Sequence, residues 1–149
     1  MRAVIQKVRS SAVEADGQTA GSIGRGLMVL VGFTHDDGEK EIDYILGKIL
    51  NLRIFSDNEG KMNLSALDTG AELLLVSQFT LYADTNAGRR PSFIKAMGYN
   101  EAEMLYEKMV KKARETGISV QTGKYGAEML VTIENDGPVT IIIDSEKTI

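Results

Sequence analysis

The chain is 149 residues long, 43% hydrophobic and 26% charged, with a formal net charge of −4 at pH 7. That length suits one domain with a real core, and the acidic balance argues against a surface built to coat nucleic acid. With no cysteine present, disulfides, thiolate zinc sites and cysteine nucleophiles are excluded.

Arg2 and Lys7 come too early for the apolar stretch of a signal peptide. No apolar run approaches the ~18–20 residues that span a bilayer. The expected setting is the cytoplasm, without membrane contact.

In chain order, Arg2–Glu14 reads as a strand rich in β-branched and small residues, although Lys7 and Arg9 share a nominal face with Ile5 and Val13. Asp16-Gly17 is a hairpin signal, with Thr19–Ile23 as the returning strand. The unbroken apolar run from Leu27 to Phe33 predicts a strand buried on both faces. Asp36 or Asp37 is the expected cap of a helix whose buried stripe is Ile42, Ile45, Leu46, Ile49 and Leu50. Arg53-Ile54-Phe55 is short and extended, Ser56–Lys61 a turn, and Asn63–Gly70 irregular. Ala71–Val76 is a second buried strand, leading into Ser77-Gln78-Phe79-Thr80-Leu81-Tyr82.

Asp84–Arg90 is a polar loop that ends at Pro91. A helix follows, with Asn100 and Glu103 as its expected capping box and Ala102, Leu105, Tyr106, Met109, Val110 and Ala113 as its buried stripe. Gly117 stops it. Two strands close the chain, one through Met129, Val131 and Ile133 and the other over Val139–Ile143. The fold class is therefore α+β, with a mainly antiparallel sheet and two main helices in a single domain over residues 1–149. Arg89, Arg90, Lys95, Lys108, Lys111, Lys112, Arg114 and Lys124 concentrate positive charge late in the chain, either as a phosphate-attracting patch or as a solvated face.

The usual catalytic equipment is missing. His35 is the sole histidine, so any Ser-His-Asp triad would have to use it. Neither the dinucleotide-binding nor the phosphate-loop glycine pattern is present, and no acidic spacing resembles a calcium loop. No metal or cofactor is expected. An enzyme so equipped would act on an already activated bond, mostly through positioning and backbone donors. Asn135-Asp136-Gly137-Pro138-Val139-Thr140 is the other unusual stretch, because the chain has only two prolines. Its local composition reads as a hairpin turn. The same Gly-Pro pair could instead present two carbonyls in a fixed direction, with no side chain in the way.

Two motifs carry a resemblance. Ser77-Gln78-Phe79-Thr80-Leu81-Tyr82-Ala83-Asp84 with Gly88-Arg89-Arg90-Pro91-Ser92-Phe93 resembles one signature of the D-aminoacyl-tRNA deacylases. Asn135–Thr140, preceded by Thr122–Met129, is similar to the second. Met1–Gln6, Lys48–Phe55 and Gly60–Ser65 also look like this family, so the resemblance spans essentially the whole chain.

What it implies is hydrolysis of the ester joining a D-amino acid, or glycine mischarged on tRNA-Ala, to the 3′-terminal adenosine of tRNA. It further implies a homodimer with a barrel-like sheet, in which the Gly-cisPro of one subunit reaches the active site of the other. By that resemblance Gly137 and Pro138 would receive the substrate's α-amino group and exclude an L-side chain. Ser77, Gln78, Phe79 and Thr80 would line the ester and offer main-chain amides to the oxyanion, and Met129 would belong to the adenosine-binding wall. Water is the expected attacking group, aided by the terminal ribose hydroxyl, with Thr80 in a structural role. Lys7 departs from the arginine that many relatives carry there, and loses its planar fork of donors. Two other readings are a non-catalytic dimeric module for the tRNA acceptor end and a serine esterase built on His35.

Overall fold

The computed structural model describes residues 1–149. Its organising strand is β1 (Arg2–Ala15), which is hydrogen-bonded along both edges. On one edge lie β2 (Gln18–Ile23) and β3 (Gly26–Gly32); on the other lies β8 (Met129–Asp144), and all three run antiparallel to β1. The sheet then continues through two parallel pairs, β3 with β6 (Glu72–Ser77) and β6 with β7 (Val120–Thr122). Asp16 and Gly17 both have positive φ, +55° and +74°, as the β1–β2 hairpin requires.

The sheet curls until its far strands almost meet. A Cβ at Gly21 in β2 would lie 2.5 Å from the Thr122 carbonyl oxygen in β7. Only a glycine allows that approach, so the barrel-like closure already exists within one chain.

Alternation along the buried strands sends side chains to two cores. Leu73 and Leu75 of β6 join Ile5, Val29 and Val31 beneath the helices, whereas Leu74 and Val76 pack inside the curl with Val8, Val13 and Met28. Helix α1 (Glu39–Asn51) contributes Ile42, Ile45, Leu46, Ile49 and Leu50 to the first core, the stripe expected from its spacing. Helix α3 (Tyr99–Glu115) contributes Ala102, Tyr106, Met109, Val110 and Ala113. Leu105 is only partly buried.

Five local expectations need correction. Gly38 caps α1, with its N–H donating to Glu41 at 3.0 Å, while Asp37 instead accepts the Thr34 N–H at 2.7 Å and the Met1 ammonium. Helix α3 starts at Tyr99 behind Gly98 and has no side-chain cap, so Asn100 lies inside its first turn. The stretch expected to be irregular holds β5 (Met62–Leu64), paired with β4 (Phe55–Ser56), and a one-turn helix α2 (Ala66–Thr69). Ser65 and Asp68 form the capping box of α2, an aspartate doing what a glutamate usually does. Strand β7 is three residues long and too short for periodicity to reveal. Finally, the two closing strands are a single β8, interrupted in its pairing at Asp136–Val139.

The Leu75 carbonyl joins sheet and helix, accepting the Tyr106 hydroxyl at 2.7 Å and the Gly123 N–H at 3.1 Å. Burial pushes the Tyr106 phenol well above its ordinary pKa, so it stays a donor. Because the carbonyl keeps its second partner, Tyr106→Phe should cost only about 1 kcal/mol. A urea titration checks this as a lowered midpoint with an unchanged slope.

Candidate active site

Strand β6 ends at Ser77. The Gln78 N–H still donates to Val31 O at 2.7 Å, and the chain then leaves the sheet as a single 3-10 turn, Phe79–Tyr82. This sharp exit depends on Gly32 opposite, where a Cβ would lie 2.7 Å from the Gln78 carbonyl oxygen. The first bond of the turn runs from Leu81 N–H to Gln78 O at 3.3 Å. The Phe79 and Thr80 amides precede it and have no acceptor within the turn. Phe79 and Thr80 are exposed, Ser77 and Gln78 are half-buried, and the Gln78 side-chain amide donates to the Thr80 hydroxyl.

Two clefts flank this turn and share Ser77, Gln78, Phe79, Tyr99 and Tyr125 as a common wall. One, of about 310 Å³, is apolar and is completed by Phe33, Phe93, Met97 and Ala102 among others. The other, of about 390 Å³, is completed by Gly126, Ala127, Met129 and Val131 with Val76. The structure therefore brings Met129 together with Ser77, Gln78 and Phe79, while Thr80 lines neither cleft.

Aromatic residues fix the shared wall. The Tyr125 hydroxyl donates to Tyr99 O at 3.0 Å, and the two rings meet edge-on at 5.1 Å. Tyr106 lies 5.6 Å behind Tyr125, which ties the wall to the core. Gly126 has φ +71°, and a Cβ there would overlap the Tyr99 ring and hydroxyl. A Cβ at Gly123 would lie 2.6 Å from the Met129 sulfur. Tyr99, Tyr125, Gly123 and Gly126 escaped the sequence reading as site residues. Their available signal was a tyrosine beside glycines in a loop, with no amphipathic stripe to absorb it.

Gly137 and Pro138 lie elsewhere. Gln6 pairs with Thr140 and Val8 with Asn135, so one intervening residue of β1 faces four of β8, Asp136–Val139, which bulge outward as a loop. The flanks do not pair with each other, and the expected hairpin is instead an interruption within one strand. The Gly137–Pro138 peptide is cis, and Gly137 has φ +125°, where L-residues are strained. The Asn135 side-chain amide closes the base of the loop by donating to Lys7 O at 3.2 Å and Val139 O at 3.1 Å. Arg9 approaches Asp136 at 3.6 Å, and the Lys7 ammonium makes no hydrogen bond or ion pair within the chain. Both Gly137 and Pro138 are exposed, and their surface hollow shares no residue with the two clefts. Register explains the separation: Ser77 aligns through Val31 with Ala3, whereas the loop stands beside Lys7.

The late cluster of basic residues also divides. Lys108 and Lys112 pair with Glu39 at 2.7 Å, and Lys112 pairs with Asp43 as well. The Lys108 and Lys112 hydrogen bonds and charges hold the Glu39 carboxyl down to about 2. Lys124 is engaged by Asp16 and Lys95 by Asp84. Arg89 and Arg90 are exposed and unpaired, on the loop that leads to Phe93. His35 lines neither cleft, and its Nε2 is engaged with Ile94 O at 2.7 Å, a contact in which only the nitrogen can donate. No three His, Cys, Asp or Glu side chains converge in a way that could hold a metal ion.

Comparison with known proteins adds three findings. Residues 4–144 match the family model described as D-Tyr-tRNA(Tyr) deacylase. The chain is 56% identical over 147 residues to the D-aminoacyl-tRNA deacylase of Clostridium kluyveri, covering 99% of each chain. It is 55% identical over 148 residues to that of Clostridioides difficile, again over 99% of each. The chain belongs to the D-aminoacyl-tRNA deacylase family. It is a hydrolase acting on an ester bond, that of D-aminoacyl-tRNA.

Solved structures agree with this deacylase fold. The c-Myc DNA Unwinding Element Binding Protein superposes with a TM-score of 0.91 at 42% identity, over 97% of this chain and 99% of that one. A probable eukaryotic D-amino acid tRNA deacylase shares the fold at a TM-score of 0.80 and 19% identity, over 95% and 97%. No helix of the deacylase is long and apolar enough to cross a membrane.

The Gly126 contact gives a direct test of the wall. Gly126→Ala combines a left-handed backbone with overlap against Tyr99, so stability should fall by about 1–3 kcal/mol. Thermal unfolding checks the first effect. Steady-state kinetics on D-tyrosyl-tRNA should show KM raised roughly tenfold, which corresponds to about 1.4 kcal/mol of lost binding.

Proposed function

We propose that the deacylase works as a chiral proofreader, with its ester site at the head of the Phe79–Tyr82 turn and its chirality gate supplied by a second copy of the chain. The observation that carries this reading is the pair of free amides, Phe79 and Thr80, at the head of the turn, where Phe79 lines the Met129 cleft and Thr80 follows it. Terminal adenosine occupies that cleft, with Met129 against the base. The ester carbonyl then faces Ser77, Gln78, Phe79 and Thr80, where the free amides receive negative charge as it develops on oxygen. Water adds to the carbonyl carbon, the carbon–oxygen bond to the ribose breaks, and the ribose oxygen leaves with a proton. The adjacent terminal hydroxyl of the tRNA assists, since no base is within reach. His35 is committed to Ile94.

Gly137 and Pro138 of the partner accept the α-ammonium through their carbonyls and leave no volume for an L-side chain. Glycine, which has no side chain, passes the same gate. Two features support a cross-subunit arrangement. The loop stands away from the clefts of its own chain, and the sixteen-residue β8 has one edge without a strand partner. Leu130 and Ile142 of that strand are 66% and 60% exposed, apolar surface suited to a homodimer. Arg89 and Arg90 steer the tRNA phosphates. The whole chain acts as a single deacylase domain in the cytoplasm, the compartment of its substrate.

Turnover of D-tyrosyl-tRNA should exceed that of L-tyrosyl-tRNA at least roughly 100-fold, since the wrong isomer meets backbone rather than a mobile side chain. Equal rates on the two would sink the reading. Thr80→Ala should keep kcat within about tenfold, because its amide survives the change; an abolished rate in a folded protein would make the hydroxyl the nucleophile.

A further inference from the structure

Only a few internal hydrogen bonds hold the Phe79–Tyr82 turn, and the first of them is 3.3 Å long. Its direction must therefore be set from outside. At the entry the Gln78 N–H is fixed to Val31 O. At the exit Arg2 takes hold, beside the Tyr82 hydroxyl's own bond to Glu146 at 3.4 Å. Its guanidinium donates to Leu81 O at 2.9 Å and lies 4.5 Å from the centre of the Tyr82 ring.

Arg2 is itself held from behind. Its second terminal nitrogen donates to the Thr148 hydroxyl at 3.3 Å, and its Nε lies 3.6 Å from the buried Asp144 carboxylate. That Nε is buried and has no hydrogen-bond partner, so charge rather than a hydrogen bond secures it. Burial alone would raise the Asp144 carboxyl. The Thr148 hydroxyl, the Glu146 and Thr148 N–H groups and the Arg2 charge outweigh it and keep the carboxylate ionised. The wide groove beyond Tyr125 is charge-balanced. Its Lys111, Arg114 and Lys124 are matched by Glu103, Glu107 and Glu115, leaving no net charge for a phosphate.

We propose that Arg2, backed by Asp144, is a positioning residue for deacylation, holding the Leu81 carbonyl so that the Phe79 and Thr80 amides point at the developing oxyanion. This rests on the proposed ester site at the same turn. Arg2 touches no cleft, so its loss misaligns the amides without removing any binding contact. A displacement of about 1 Å at a reacting centre can cost on the order of 100-fold in rate. Lysine cannot replace it, because one ammonium does not reproduce a planar fork that donates, stacks and pairs at once.

The test compares wild type, Arg2→Met, Arg2→Lys and the core variant Ile49→Val on D-tyrosyl-tRNA, with amide NMR shifts of Phe79 and Thr80 as a second readout. Arg2→Met and Arg2→Lys should lower kcat roughly ten- to a hundredfold at unchanged KM and shift both amides. Ile49→Val should lose stability with neither effect. A kcat for Arg2→Met equal to that of Ile49→Val, with unmoved amides, overturns the inference while leaving the proposed function intact. If Arg2→Met does not fold, Asp144→Asn decides by the same criteria, since it removes the charge facing Arg2 Nε, at the cost of one of the two oxygens that accept from Glu146 and Thr148. A wild-type chain without D-specific turnover overturns both the proposed function and this inference.

Discussion

Strand β1 is hydrogen-bonded on both edges along nearly its whole length, and the positions of the functional parts depend on that constraint. Through β3 it fixes where β6 ends, and hence where the Phe79–Tyr82 turn leaves the sheet. Through β8 it fixes where the Asp136–Val139 loop bulges out. The two parts are set by different registers of one strand, so they stand apart within the chain. No local rearrangement brings them together without breaking backbone pairing on β1.

The chemistry follows from what each part lacks. The turn has amides and the Thr80 hydroxyl but no acid or base to activate it, a composition suited to an ester that is already reactive. The loop presents carbonyls, with no side chain at Gly137 and only the rigid ring of Pro138 beside it. In the proposed gate, rigid backbone would not yield to the wrong isomer as a long side chain would. Supporting residues then decide precision: glycines at 21, 32, 123 and 126 let neighbours approach closely, and tyrosines at 99, 106 and 125 brace the cleft wall. The positive charge that remains uncommitted near the site is that of Arg89 and Arg90. Lys108 and Lys112 of α3, which look basic in sequence, are spent on Glu39 and Asp43.

Much of the fold was legible because its period was strong. The α1 and α3 stripes, the buried β3 and β6 runs and the Asp16-Gly17 hairpin are each a local pattern with one physical outcome. What escaped was set by contacts distant in sequence. Asn100 and Glu103 make a good capping box on paper, yet Tyr99 is drawn into the helix by its packing on Tyr125 and Gly126. Three-residue β7 is a strand only because Leu73, Leu74 and Leu75 offer it an edge. The Gly137-Pro138 stretch was readable as unusual, but not as a bulge, since a hairpin and an interruption share the same turn residues. Placing Met129 beside Ser77, Gln78 and Phe79 came from family likeness alone, and the cleft they now share gives that placement a geometry.

The central claim is that the loop of one subunit completes the cleft of another, and subunit complementation addresses it most directly. One chain would carry Gly137→Ala with Pro138→Ala, disabling the loop. The other would carry Phe79→Pro, which deletes one amide donor at a first-turn position where proline is tolerated. Each should be inactive alone. Unfolded together and refolded as a mixture, they should recover about a quarter of wild-type D-tyrosyl-tRNA hydrolysis, because half the dimers are mixed and each has one intact composite site. No recovery from folded mixed dimers would contradict the account.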